Sequence, residues 1–176
     1  TDIMINDGGY YFAGDVEILC SAARRRAEEL GCEVADFACD ITGEARDVAA
    51  EKLDNLSNIK GKRAYIYGGE TTVTLRGGGR GGRNQEMALA AAVKLRGRKN
   101  IVFASAGSDG TDGPTDAAGG IADGDTYELM RSRGIDPEAE LLDNNSYFAL
   151  DAADSLIVTG PTGTNVNDIT LILTDF

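Results

Sequence analysis

The sequence predicts a layered α/β/α domain with a mixed sheet, a single unit over residues 1–176. Three observations predict it. Segments with a helical repeat of apolar residues alternate with short β-rich runs. The 23 glycines gather between those segments without a fixed period, which excludes collagen-like and low-complexity chains. A hydrophobic content of 42% over 176 residues is enough to bury one ordinary core.

The elements follow in order. The chain opens at Thr1 without an initiator methionine and enters strand-like Ile3-Met4-Ile5 at once, an opening expected of a piece of a longer protein. From Asp15 to Leu30, the residues Val16, Leu19, Cys20, Ala23, Ala27 and Leu30 recur at helical spacing, and Gly31 stops the helix. Glu33 to Cys39 reads as a strand, and Glu44 to Leu56 as a helix through Ala45, Val48, Ala49, Leu53 and Leu56. Arg63 to Tyr67 and Thr71 to Leu75 are β-rich runs split by Gly68-Gly69-Glu70, and are expected to lie side by side. An arginine-glycine segment then leads into a helix from Asn84 to Leu95, whose Met87 to Val93 stretch is apolar enough to be buried. Ile101 to Ser105 reads as a strand, Thr126 to Arg133 and Asn145 to Ala152 as shorter helices, and Ser155 to Val158 and Ile169 to Leu173 as a late strand pair. Two antiparallel neighbours within a βα alternation favour a mixed sheet over a parallel one.

Composition narrows the function. With 17 basic and 29 acidic residues the net charge is −12, which repels nucleic acid and anionic lipid. Cys20, Cys32 and Cys39 form no CxxC pair, and there is no histidine to complete a zinc site, so they read as reduced, packed thiols. No apolar run reaches the roughly 20 residues of a membrane span, and the N-terminus lacks a leader pattern, so a cytoplasmic location is expected. The lack of histidine also removes Ser-His-Asp and Cys-His mechanisms, leaving proton transfer to a carboxylate or a lysine.

The segment Arg76 to Arg83, RGGGRGGR, lies between a strand and a helix. Glycines such as Gly77, Gly78, Gly79, Gly81 and Gly82 permit positive φ and bring amide N–H groups close to a ligand, while the helix start adds partial positive charge. Arg76, Arg80 and Arg83 supply forks for a carboxylate or phosphate, and Asn84 follows directly. The alternative is a solvated connection whose arginines face water. The spacing Gly77-x-Gly79-x-x-Gly82 also matches the dinucleotide fingerprint, but Arg80, Arg83 and Glu86 crowd the turn, and no acidic residue ends a strand about 20 residues on. The Walker pattern fails for want of a Lys-Ser or Lys-Thr pair, and an RGG-type RNA-binding segment conflicts with the ordered flanks and the acidic charge.

A second polar loop carries Asp109, Asp112 and Asp116 among glycines, which suits Mg²⁺ coordination or a base for a hydroxyl proton, although short turns bonding their own backbone would use the same residues. It lacks the closing glutamate of an EF-hand. Asp109 stands out, because ligands of open α/β sheets gather at the carboxyl ends of strands. The loop Thr162-Gly163-Thr164-Asn165 offers hydroxyls, an amide and open backbone to a polar ligand, or only a turn.

Taken together, three stretches closely resemble the C-terminal, MOFRL-type domain of the glycerate 2-kinases. They are Gly68 to Val73 running on to Gly82-Arg83-Asn84-Gln85-Glu86, Ser105 to Gly119 with its aspartates, and Thr159 to Asn165. The motifs keep family order and spacing over residues 68–175, while residues 1–60 match only a helix-rich stretch. The resemblance implies ATP- and Mg²⁺-dependent phosphorylation of D-glycerate at its 2-hydroxyl, in a cleft between two α/β domains. Arg83 and Asp109 match active-site residues of such kinases. A lysine on an N-terminal domain, absent here, would complete the site, so that domain and glycerate are the implied partners; a homo-oligomer is left open. Family members also carry the name hydroxypyruvate reductase, which makes an NAD(P)-dependent reductase the alternative, beside a non-catalytic module that holds an anionic metabolite.

Overall fold

A computed structural model describes residues 14–56 and 60–175; the run Ile3 to Ile5 lies outside them. Helix α1 (Val16–Glu29) starts where the Asp15 carboxylate accepts the Ile18 amide at 2.8 Å, a normal N-terminal cap. Strand β1 (Glu33–Ile41), helix α2 (Ala45–Asp54) and strand β2 (Arg63–Gly69) follow as a βαβ unit with β1 and β2 parallel. Helix α3 (Arg83–Leu95) runs through the centre of the helical layer with ten buried residues, and leads to strand β3 (Ile101–Gly107). Strand β4 (Gly119–Asp123), helices α4 (Thr126–Ser132), α5 (Pro137–Leu142) and α6 (Ser146–Ala152), strand β5 (Leu156–Ile157) and strand β6 (Asp168–Thr174) complete the described chain.

The six strands lie in the order β1-β2-β6-β3-β4-β5, parallel between β1 and β2 and antiparallel elsewhere. The sheet is mixed, as expected, but its neighbours differ from the expected pairs. β2 already has β1 on one side and β6 on the other, so no free edge remains for the run Thr71 to Leu75. That run instead crosses the start of α2: Thr72 and Gly43 to Ala45 exchange backbone bonds, and the Glu44 carboxylate takes the Thr74 amide and hydroxyl. The late strands also part company, with β5 pairing to β4 and β6 inserted between β2 and β3. Strand β4 and helix α5 lie in stretches where the sequence pattern predicts no element.

Register sets two faces. Tyr65, Ile172, Phe103 and Ala122 form one row across four strands on the face beneath α2 and α3, with α4 to α6 packed around α3. Ala64, Ile66, Leu171 and Leu173 point the other way, towards Cys20 and Ala27 of α1. The layering is therefore α/β/α with unequal layers, and beyond α1 the second face leaves Ile121 40% exposed. The alanines of α3 allow a close helix-to-sheet approach. A Cβ on Gly120 of β4 would fall 2.8 Å from the Ala88 Cβ and 2.7 Å from Leu150 Cδ1, so only glycine fits there. Among the described residues, no helix is long and apolar enough to cross a membrane.

Candidate active site

An antiparallel strand between two parallel ones sets the position of one carboxylate. β6 begins where β2 and β3 end, so Asp168, its first residue, lies opposite both Gly69 and Gly107 at the carboxyl edge of the sheet. Arg83, first residue of α3, reaches it side-on: Nε donates to Asp168 Oδ2 at 2.5 Å and Nη2 to Oδ1 at 3.0 Å. Its Nη1 donates to Glu70 Oε1 at 2.8 Å. The Asp168 bond, working against burial and helped by the charges of Asp168 and Glu70, raises the Arg83 pKa further, so the guanidinium stays charged.

Asp109 follows β3 by two residues. Its Oδ1 accepts the Thr111 amide at 2.9 Å and hydroxyl at 3.1 Å, while Oδ2 takes no partner among the described residues. A Cβ built on Gly107 would lie 3.3 Å from Asp109 Oδ1 and 3.5 Å from Asp168 Oδ1. The fold thus brings Asp109 and the Arg83–Asp168 pair to one point above Gly107. The loop Thr162 to Asn165 steadies this corner: the Thr162 amide donates to the Asp109 carbonyl at 3.1 Å and its hydroxyl to the Ser108 carbonyl at 2.5 Å. Gly163, Thr164 and Asn165 are exposed, and Asn165 Oδ1 accepts the Asn167 amide.

Beside Arg83 opens a cavity of about 550 Å³, a size suited to a small molecule. Glu70 to Val73 line one side, Gly79, Gly81, Gly82 and Arg83 the other, with Glu86, Asn144 and Asp112 to Pro114 around them. Neither Asp109 nor the Thr162 loop lines it; Arg83 links the cavity to Asp109 through Glu70 and Asp168.

The glycine segment works differently from the sequence expectation. None of Gly77, Gly78, Gly79, Gly81 and Gly82 has a left-handed φ. For all but Gly78, which is open, the role is close packing: an added Cβ would fall 2.2 Å from Asp143 at Gly77, 2.4 Å from Asn145 at Gly79, 2.1 Å from Ser146 at Gly81 and 2.3 Å from Asp112 at Gly82. Most of the amides meant for a ligand already have partners. Asn144 Oδ1 accepts those of Arg76 at 2.6 Å and Gly77 at 3.1 Å, Asp143 those of Gly78 and Gly79, and Asn145 Oδ1 that of Arg80. The amides of Gly81, Gly82 and Arg83 take no partner among the described residues. The amides of the segment left open to any ligand are those three, at the N-terminus of α3. Glycines whose amides are bonded to Asp143 and Asn144 also leave no open backbone at Gly77 to Gly79 for a dinucleotide pyrophosphate. Arg80 turns aside, its Nε on the Pro114 carbonyl at 3.0 Å and its guanidinium 4.7 Å from the Tyr147 ring centre.

Residues 63–168 match the family described as the MOFRL family. The chain belongs to the MOFRL family. It is 43% identical over 166 residues to D-glycerate 2-kinase of Thermotoga maritima, covering 90% of this chain and 40% of that protein. It is 43% identical over 164 residues to glycerate 2-kinase of Pyrococcus horikoshii, covering 89% of this chain and 37% of the relative. The crystal structure of glycerate kinase from Thermotoga maritima superposes with a TM-score of 0.83 at 43% identity, over 92% of this chain and 41% of that one. The chain spans about two fifths of the length of these relatives.

Within this MOFRL domain the three candidate metal ligands separate. Asp112 caps α3, its oxygens accepting the amides of Asn84 at 3.2 Å and Gln85 at 2.8 Å; burial pushes its pKa up, opposed by those amides. Asp116 is exposed and accepts the Tyr147 hydroxyl at 2.8 Å, which holds its pKa down. Among the described residues no three Asp, Glu, Cys or His side chains converge on a metal position, and Asp109 is the candidate that lies beside the Arg83–Asp168 pair. Asn84, expected to meet a ligand, is 1% exposed and points inward: Nδ2 donates to Asp112 and Oδ1 accepts the Ser105 hydroxyl at 2.6 Å. The sequence reading missed Asp168 and Asp143-Asn144-Asn145. The signal available for Asp168 was an acidic residue opening an otherwise apolar strand.

Proposed function

We propose that the chain is the C-terminal part of a glycerate 2-kinase, which transfers the terminal phosphoryl group of ATP to the 2-hydroxyl of D-glycerate at a site shared with an N-terminal domain. The observation that carries this reading is that Asp109 and Asp168, the carboxylate that holds Arg83, both lie above Gly107 at the carboxyl ends of β2 and β3, in a chain whose relatives bear that name.

Phosphoryl transfer depends on position and charge more than on covalent help from the protein. Arg83 and the open amides of Gly81, Gly82 and Arg83 fit an anionic oxygen, from the glycerate carboxylate or the transferring phosphoryl group. Asp109 Oδ2 accepts the proton of the 2-hydroxyl as its oxygen bonds to phosphorus and the bond from phosphorus to the ADP oxygen breaks. Mg²⁺, when bound with the nucleotide, supplies neutralisation of phosphate charge; from this chain Asp109 would meet it.

The test is turnover by the natural protein at full length with ATP, Mg²⁺ and D-glycerate. Appearance of 2-phosphoglycerate is expected, and its absence rejects the reading. The chain of 176 residues alone is expected to show no turnover. In the full protein, Arg83→Ala lowers kcat/KM by about 10²–10³-fold, the loss typical of a charged donor removed from a developing oxyanion.

A further inference from the structure

An arginine carries five N–H donors. Asp168 takes two of those on Arg83 and Glu70 a third, so among the described residues one on Nη1 and one on Nη2 stay open. The two carboxylates are held unequally. The Asp168 side chain is 8% exposed and its backbone lies between β2 and β3, whereas the Glu70 side chain is 55% exposed and hangs from the residue just after β2, on the cavity wall. Two negative charges against one positive leave the trio at a net −1, so as it stands it does not attract an anion. A ligand carboxylate or phosphate oxygen approaching from the cavity meets Glu70 on the guanidinium edge it needs, in a pair whose exposure makes it weak.

We infer that Glu70 is an internal competitor, occupying the Arg83 edge that an anionic substrate group takes on binding, and that Asp168 is the positioning residue that fixes the guanidinium for this exchange. The inference deepens the reading of Arg83 as the anion anchor and rests on it. It assigns opposite effects to two carboxylates on one arginine, which a purely structural ion-pair cluster would not produce.

The experiment uses the full-length protein and calorimetric titration with D-glycerate and, separately, inorganic phosphate, alongside kcat and KM for glycerate. Glu70→Gln is expected to tighten the affinity for the anion that Arg83 holds by about three- to tenfold, as a glutamine no longer competes by charge. Asp168→Asn is expected to weaken it at least tenfold, with Asp168→Glu recovering part of the loss, and thermal melts identify any variant that fails to fold. Glu70→Gln weakening the affinity as Arg83→Ala does overturns the competitor role. Asp168→Asn with unchanged affinity, or no recovery in a folded Asp168→Glu, overturns the positioning role. Opposite shifts for phosphate in a protein that neither binds nor phosphorylates glycerate uphold the exchange while rejecting the glycerate reading.

Discussion

Asp112 returns from the loop after β3 to the first turn of α3 and takes the amides that a helix start leaves bare, because Gly82 at the N-cap has no side chain to do so. Asp112→Ala should therefore lower stability by about 1–2 kcal/mol, the usual loss for a removed cap, in a denaturant melt. A second residue-scale effect concerns pH. Burial, with Cys39 alongside, pushes the Cys20 thiol from an ordinary 9.0 up to about 12. The folded value lies above the unfolded one, so this thiol's contribution is complete below pH 9 and is lost as pH rises towards 12. Tyr67, held protonated by burial and by donation to Asp36, acts in the same direction above pH 10. Thermal midpoints recorded from pH 8 upward should fall, less steeply in Cys20→Ala, and Cys20 should resist alkylation at pH 8 until the protein unfolds; rapid labelling of folded protein contradicts this.

Among the elements, the glycine segment and the turn Asp143 to Asn145 form one unit. Asn144 is central to it: its Oδ1 takes two amides of the segment, and its Nδ2 donates to the buried carboxylate of Glu86 at 2.9 Å, which Arg46 also meets at 2.9 Å. Asn144→Ala leaves two amides and Glu86 Oε2 without their partner, Arg46 still holding Oε1, at a residue with φ of 56°, and should lower stability by at least ~2 kcal/mol in a denaturant melt, with weaker anion binding at Arg83 because the cavity wall loosens. Helices α1, α2 and α3 were legible in sequence because long 3.6-residue patterns match a buried stripe. Strand β4 was not, since the close approach of Ala88 and Leu150 demands Gly120, which erases the alternation that marks a strand. Thr71 to Leu75 misled because β-propensity says nothing about whether a sheet edge is free. Arg83 and Asp109 stood out as candidates through their local motifs, and the fold sets both at the carboxyl edge of the sheet. Asp168 was not, because its partnership with Arg83 exists only once β6 inserts antiparallel between two strands. The glycines announced a loop, and only the fold reveals that the amides of Arg76 to Arg80 face Asp143 to Asn145, which leaves those of Gly81, Gly82 and Arg83 open among the described residues.

For the molecule as a whole, β6 is both the central joint of the sheet and the bearer of Asp168. Each of its seven residues is in register with β2 on one side and β3 on the other, so without it β1-β2 and β3-β4-β5 become two separate sheets. Deleting residues 168–175 is expected to abolish the cooperative thermal transition; a truncated chain that melts as sharply as the intact one contradicts that dependence. The same strand imposes an order in time. Arg83 leaves the ribosome 85 residues ahead of Asp168. At ordinary synthesis rates that is roughly 4–17 s, during which helix α3 can form but its arginine has no fixed direction. A nascent or prematurely ended chain thus carries Arg83 without the Asp168 carboxylate that fixes its guanidinium in the finished fold.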